Sequence, residues 1–190
     1  MLDYVMRQCK IQTPSNEQNI VNACLRLWRS LLKVFDNEAF GAEKDKKENI
    51  QIIDSCFLWA FTWTVCAVVD TQYRRPVDIY FKQVCNGEID GLTKFQNHKI
   101  IPSKMDRGTI YDYVFFPAEN KWQSWMDLTN KDDIDKFPAD TQVQDIIVTT
   151  NDKIRYSYIQ EYCINNMIST LFVGPTGTGK SVYIQNVLLH

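Results

Sequence analysis

Eight residues near the end of the chain, Gly174-Pro175-Thr176-Gly177-Thr178-Gly179-Lys180-Ser181, follow the pattern G-x-x-x-x-G-K-[ST]. The pattern constrains the local fold because it works as a turn between a strand and a helix N-terminus. Glycines let the backbone bend sharply and bring its N–H groups against phosphate oxygens. The helix that follows offers free N–H groups and the positive end of its dipole. In such a loop Lys180 is expected to reach the β- and γ-phosphates of a nucleotide, and the Ser181 hydroxyl to bind Mg²⁺. The flanks agree: Thr170-Leu171-Phe172-Val173 reads as a short buried strand, and Ser181 to Leu189 contains no helix breaker. Three of the seven glycines fall inside the octet, so the match does not come from a glycine-rich background. The competing reading of the octet is a flexible glycine turn without a ligand.

A P-loop ATPase also needs an acidic residue at the end of a second strand, to hold Mg²⁺ and position water. Nine residues follow Ser181, too few for that strand. Asp145 and Asp152 precede the loop and are poor substitutes. The expectation is a chain that contributes a nucleotide-binding (Walker A) loop and does not turn over nucleotide by itself. No residue is assigned a catalytic role.

The remaining composition excludes other classes. The chain has 190 residues, 45% hydrophobic and 23% charged, with a formal net charge of −2. It can build a core, and its scattered basic residues give no general attraction to nucleic acid or anionic membranes. The longest apolar stretch, Cys56 to Val69, is interrupted by Thr62 and Thr64 and falls short of the ~20 residues of a membrane helix. The N-terminus lacks the basic-then-apolar order of a signal peptide. Six cysteines contain no C-x-x-C pair, and His98 and His190 stand apart from them, so zinc spacing is absent. Reduced, mostly buried thiols are expected.

Along the chain, residues 1–9 read as a helix end. Thr13-Pro14 marks a helix start, with Thr as cap and Pro at the first helical position. Ile20, Cys24, Leu27, Leu31 and Phe35 then recur at helical spacing. The charge run Glu43 to Glu48 reads as a loop or a first helical turn. A long central helix is predicted over Asn49 to about Val69. Asp70 to Arg75 breaks it, and Pro76 opens another helix to about Val84. Cys85 to Lys104 reads as irregular connection. Ile110 to Phe116 and Lys121 to Trp125, joined by a turn at Pro117-Ala118-Glu119-Asn120, predict a β-hairpin. Trp122, Trp125, Tyr111 and Tyr113 allow a base-stacking platform, but without basic residues beside them cross-strand packing is the better reading. Val143 to Val148 reads as an extended segment, and Asp152 as the cap of a helix to about Asn166.

Taken together, these segments resemble a dynein heavy chain at the junction of the second and third AAA+ modules of its ring. Ser55-Cys56-Phe57-Leu58-Trp59-Ala60-Phe61-Thr62-Trp63 resembles the long helix of a module's helical lid. Gly108-Thr109-Ile110-Tyr111-Asp112-Tyr113 and Lys121-Trp122-Gln123-Ser124-Trp125 resemble the aromatic hairpin of the junction. Asp145-Ile146-Ile147-Val148 and Arg155-Tyr156-Ser157-Tyr158 resemble the entry to the next module. The segment departs from the family pattern at Thr149 and Lys153. Val173 to Ile184 is worded more like the axonemal members than the cytoplasmic one.

The resemblance implies a mixed α and β fold in three parts: a helical AAA+ lid (1–104), an aromatic hairpin connection (105–142), and the first elements of a truncated P-loop α/β subdomain (143–190). It implies ATP or ADP with Mg²⁺ at a regulatory site, transmission of nucleotide state between modules, and a place in the cytoplasm and cytoskeleton, in the axoneme of a cilium or flagellum. The implied partners are the remainder of the heavy chain ring and the dynein intermediate and light chains, with microtubules engaged only by parts outside this sequence. Neither nucleic acid nor a membrane is among the expected partners. The alternative is a structural or interaction fragment with no nucleotide function.

Overall fold

The computed structural model describes residues 1–89, 108–128 and 150–189. The chain divides into two compact units, Met1–Trp122 and Gln123–His190.

The first unit is built on helices. α1 spans Leu2–Gln8 and α2 spans Glu17–Leu31. Ile20, Cys24, Leu27 and Leu31 form the buried face of α2, as their spacing predicts. The helix starts later than Thr13-Pro14. Ile11 forms an antiparallel bridge with Val69. The Gln12 N–H donates to the Val68 carbonyl, and the Asp70 N–H to the Lys10 carbonyl, both at 2.9 Å. This pairing holds residues 10–12 extended, and the residue before a proline resists the helical region. Asn16 takes the cap instead, accepting the Asn19 N–H at 2.8 Å. Phe35 lies beyond α2 on a 3₁₀ turn, Leu32–Asp36, and meets Phe40 of the short α3, Glu38–Ala42.

α4, Lys46–Phe61, is capped by Asp45, whose carboxylate accepts the Glu48 N–H at 2.6 Å. It supplies the buried Ile52, Cys56, Trp59 and Ala60. Trp28 of α2 crosses it, with the indole N–H donating to the Ile53 carbonyl at 3.3 Å and the ring edge-on to Phe57. The expected continuous helix to Val69 is modified by a wide π turn at Thr62–Cys66. The Thr62 and Thr64 hydroxyls donate to the carbonyls of Leu58 and Ala60, at 2.8 and 2.6 Å. Such back-bonding competes with the regular helical ladder.

α5 runs Thr71–Asn86, five residues ahead of the expected start at Pro76. Asp70 caps it by accepting the Thr71 N–H at 2.7 Å. Pro76 withholds one N–H without ending the helix. Gly87, at φ 65°, closes α5 in the left-handed region, and the Glu88 N–H returns to the Gln83 carbonyl at 2.9 Å.

The segment Gly108–Asp112 is bound down at three points. Asp78, 5% exposed on α5, accepts the Ile110 N–H at 2.8 Å. Lys82 bridges the other Asp78 oxygen, at 3.0 Å, and the Gly108 carbonyl, at 2.6 Å. The Tyr111 hydroxyl donates to the Cys66 carbonyl of the π turn at 2.8 Å, under the Arg74 guanidinium. Asp112 also accepts from the Thr109 N–H and hydroxyl, and this cap turns Ile110–Asp112 into a 3₁₀ turn rather than the predicted strand start. β1, Tyr113–Phe116, and β2, Lys121–Ser124, form the expected hairpin across the Pro117–Asn120 turn. Phe115 and Trp122 pack at 5.0 Å, and the Trp122 indole reaches the Ser55 hydroxyl at 3.3 Å. Tyr111 and Trp125 are 2% and 1% exposed, so the aromatics serve as packing and offer no stacking platform.

In the second unit a 3₁₀ turn, Trp125–Leu128, packs on α6, Asn151–Asn165, where the Trp125 ring meets Tyr158 at 5.4 Å. Thr150, not Asp152, caps α6 by accepting the Lys153 N–H at 3.2 Å; Asp152 pairs with Arg155. The expected segment Val143–Val148 lies outside the described residues. Thr170–Val173 pairs with no other described segment and is not buried: Leu171 is 77% and Val173 45% exposed. A strand needs a neighbour to satisfy its backbone, and no described strand lies beside it. α7 follows at Lys180–Leu189.

Met167 ends α6 at φ 56°, a left-handed conformation that costs an L side chain about 1 kcal/mol or more. Its side chain is 93% exposed and has little packing to lose. Met167→Gly is therefore expected to raise stability by about 0.5–1 kcal/mol, checked by urea denaturation. A lower midpoint would show that the side chain contributes more than the strain costs.

All six cysteines are free thiols. Burial pushes Cys56 up to about 12 and Cys163 up to about 11, and holds Cys66 well above the ordinary 9.0. Such thiols are poor nucleophiles. A thiol raised on folding holds its proton above the pH at which the unfolded chain releases it. The associated stability is complete below about pH 9 and is lost as pH climbs towards 12. Denaturation midpoints are expected to be lower at pH 10.5 than at pH 8, with a smaller difference in Cys56→Ala. An unchanged difference in that variant would remove Cys56 from the account.

Candidate phosphate-binding site

The octet lies between residue 173 and the start of α7. Gly177 and Gly179 both take left-handed conformations, at φ 80° and 77°. A Cβ at Gly177 would meet nothing within 4 Å, so the crown of the loop faces open space. A Cβ at Gly179 would lie 3.5 Å from the Tyr183 ring. The N–H groups of Thr176, Gly177, Thr178 and Gly179 make no hydrogen bond with another described residue. They form a run of unused donors immediately before a helix N-terminus.

Lys180 opens α7, one residue earlier than expected, and folds back over the loop. Its ammonium donates to the Gly174 carbonyl at 2.9 Å, to the Thr178 hydroxyl oxygen at 3.1 Å, and to the Pro175 carbonyl. The Thr178 hydroxyl itself donates to Pro175 at 2.9 Å. Ser181 is exposed beside Lys180 in the first turn, and that turn carries no acidic residue to repel an anion. The structure thus brings together Gly174 through Ser181. Backbone donors, a helix N-terminus and one ammonium form a donor set that fits a polyphosphate. Among the described residues no group of three or more His, Cys, Asp or Glu gathers to hold a metal.

The sequence reading missed the aromatic support of the loop. Tyr183 packs against Gly179, and Tyr156 of α6 approaches both Tyr183 and Phe172, each at 6.4 Å between ring centres. The available signal was weak: Tyr183 stands four residues after Gly179, the spacing of helical neighbours.

Two family models match the chain. The dynein heavy chain AAA lid domain matches residues 1–127, and the P-loop containing dynein motor region matches residues 135–190. Among similar proteins, dynein axonemal heavy chain 3 of Homo sapiens is 29% identical over 197 residues, covering 100% of this chain and 5% of that protein. Dynein axonemal heavy chain 12 of Rattus norvegicus is 36% identical over 137 residues, covering 70% of this chain and 4% of that protein. Dynein axonemal heavy chain 2 of Homo sapiens is 29% identical over 188 residues, covering 99% and 4%. The chain spans 5% or less of the length of these relatives.

Proposed function

The chain belongs to the dynein heavy chain family, and from that premise we propose that it supplies the P-loop of a nucleotide site in a dynein motor ring. The observation that carries this reading is that the Lys180 ammonium, at the start of α7, folds over a loop whose Thr176 to Gly179 N–H groups bond to no other described residue. Gly174, Pro175, Thr176, Gly177, Thr178 and Gly179 would wrap the phosphates of ATP or ADP. Lys180 would exchange its loop carbonyls for phosphate oxygens, gaining charge-assisted hydrogen bonds. The Ser181 hydroxyl would ligate Mg²⁺, which supplies charge neutralisation when bound.

Around this site the chain divides, in our reading, into a helical lid to about residue 104, a hairpin connection to about 142, and the opening of the next module. The node at Asp78, Lys82 and Tyr111 binds the segment after α5 to the lid helices and suits transmission of nucleotide state between modules. The axonemal relatives support a place in the axoneme of a cilium or flagellum, within the cytoskeleton. The remainder of a heavy chain ring is the proposed partner, with microtubules and the intermediate and light chains engaged elsewhere.

The test is calorimetric titration of MgADP and MgATP into the chain. A saturable one-to-one isotherm supports the reading. The absence of heat, together with oligomers that grow with concentration, supports a purely structural fragment associating through the exposed Leu171, Leu188 and Leu189.

A further inference from the structure

The crown of the loop touches little, so its geometry is set from its two ends. On the entering side stands Phe172, two residues before Gly174; on the leaving side stands Tyr183, three after Lys180. One side chain lies against both. The Tyr156 ring is edge-on to Phe172, at 82°, and tilted by 39° to Tyr183. The Arg155 guanidinium lies 5.0 Å from the centre of the Tyr156 ring and is held by its ion pair with Asp152. Tyr183 in turn covers Gly179: a Cβ there would touch the ring at 3.5 Å, an ordinary van der Waals contact, and the φ of 77° would strain any side chain.

We propose that Tyr156 is a positioning residue for the phosphate-binding loop, fixing both of its ends on α6 through Phe172 and Tyr183. This deepens the nucleotide-site reading and rests on it. Aromatic pairs are directional, so a ring gripping both ends restrains their separation as well as their burial. The four N–H donors of Thr176 to Gly179 are useful to an anion only while they converge, and preorganisation of that kind is reflected directly in affinity. Tyr158 provides the internal contrast. Two positions along α6 it faces elsewhere, packing on Trp125 and Tyr162.

The experiment compares the full chain with Tyr156→Ala, Tyr156→Leu, Tyr156→Phe and Tyr158→Ala. Two readouts are taken: hydrogen exchange of the Tyr183 amide, which donates to the Gly179 carbonyl at 3.0 Å where the loop enters α7, and the dissociation constant for MgADP by calorimetry. Tyr156→Ala is expected to weaken MgADP about tenfold and to speed exchange of the Tyr183 amide. Tyr156→Leu fills the volume without a ring and is expected to behave like Ala, which keeps the test available if the smaller side chain prevents folding. Tyr156→Phe retains the ring and is expected to stay within about twofold of the parent on both readouts. Tyr158→Ala is expected to lower the unfolding midpoint and leave MgADP affinity unchanged.

Tyr183 amide exchange and MgADP affinity unchanged in both Tyr156→Ala and Tyr156→Leu would overturn the proposal. So would an equal loss of affinity in Tyr158→Ala, which would make the effect one of general stability. A parent chain that does not bind MgADP would instead remove the nucleotide-site reading. The exchange readout then decides the positioning role: faster exchange in Ala and Leu but not Phe supports it, and any other pattern overturns it.

Discussion

Lys180→Ala is expected to weaken MgADP binding by about a hundredfold, roughly 2.7 kcal/mol, while changing the unfolding free energy by less than about 1 kcal/mol. The two numbers separate because the ammonium has different partners in each comparison. Without nucleotide it donates to the Gly174 and Pro175 carbonyls and to the Thr178 hydroxyl oxygen. Pro175 and Thr178 lie on the exposed loop, where water replaces a lost donor cheaply. Against a polyphosphate the same group would neutralise charge through charge-assisted bonds, which are about twice as strong as neutral ones. Lys180→Arg is expected to restore only part of the affinity, because a planar fork does not fit where a compact ammonium folds over Gly174. Calorimetry with denaturation of the same samples checks both numbers. Equal affinities for parent and Lys180→Ala would move any nucleotide binding to another site.

Asp78→Ala is expected to cost about 2–4 kcal/mol of folding free energy. The carboxylate is buried and its two oxygens have separate duties: one accepts the Ile110 N–H, the other meets Lys82. Truncation leaves that N–H without its acceptor and takes the Asp78 carboxylate away from the Lys82 ammonium. Asp78→Asn should be milder, about 1–2 kcal/mol, because an amide oxygen can still accept from Ile110. Urea denaturation measures both, and near-ultraviolet circular dichroism should follow release of the buried Tyr111. An Asp78→Ala chain as stable as the parent would mean that water enters and serves both groups.

What could be read from the sequence was whatever depends on neighbours along the chain. Ile20, Cys24, Leu27 and Leu31 mark the inner face of α2 by spacing, and Pro117 to Asn120 marks a turn by its residue types. The octet carries the pattern of a phosphate loop because its glycines serve the backbone locally, and Gly177 and Gly179 take left-handed conformations. What escaped depends on distant partners. Asn16 caps α2 in place of Thr13 because Ile11 pairs with Val69, far along the chain. Asp78 belongs to no motif, and the backbone group it holds is that of Ile110, 32 residues along the chain. Thr170 to Val173 has strand composition but has no described strand to join. Tyr156 and Tyr183 stand in segments that resemble the family, but nothing along the chain shows that the two rings meet across α6 and α7.

The π turn at Thr62–Cys66 bears on how sequences of this family should be lined up. A π turn accommodates one residue more than the regular helix would over the same stretch, so it behaves as a single-codon insertion hidden inside an apparently continuous helix. The Cys66 carbonyl that receives the Tyr111 hydroxyl belongs to this widened turn. A relative one residue shorter between Phe61 and Ala67 would close this turn to the regular helical width, keep its flanks in register and present a different carbonyl to that tyrosine. A gap at this position is therefore a change of internal bonding partner, not a neutral difference in length.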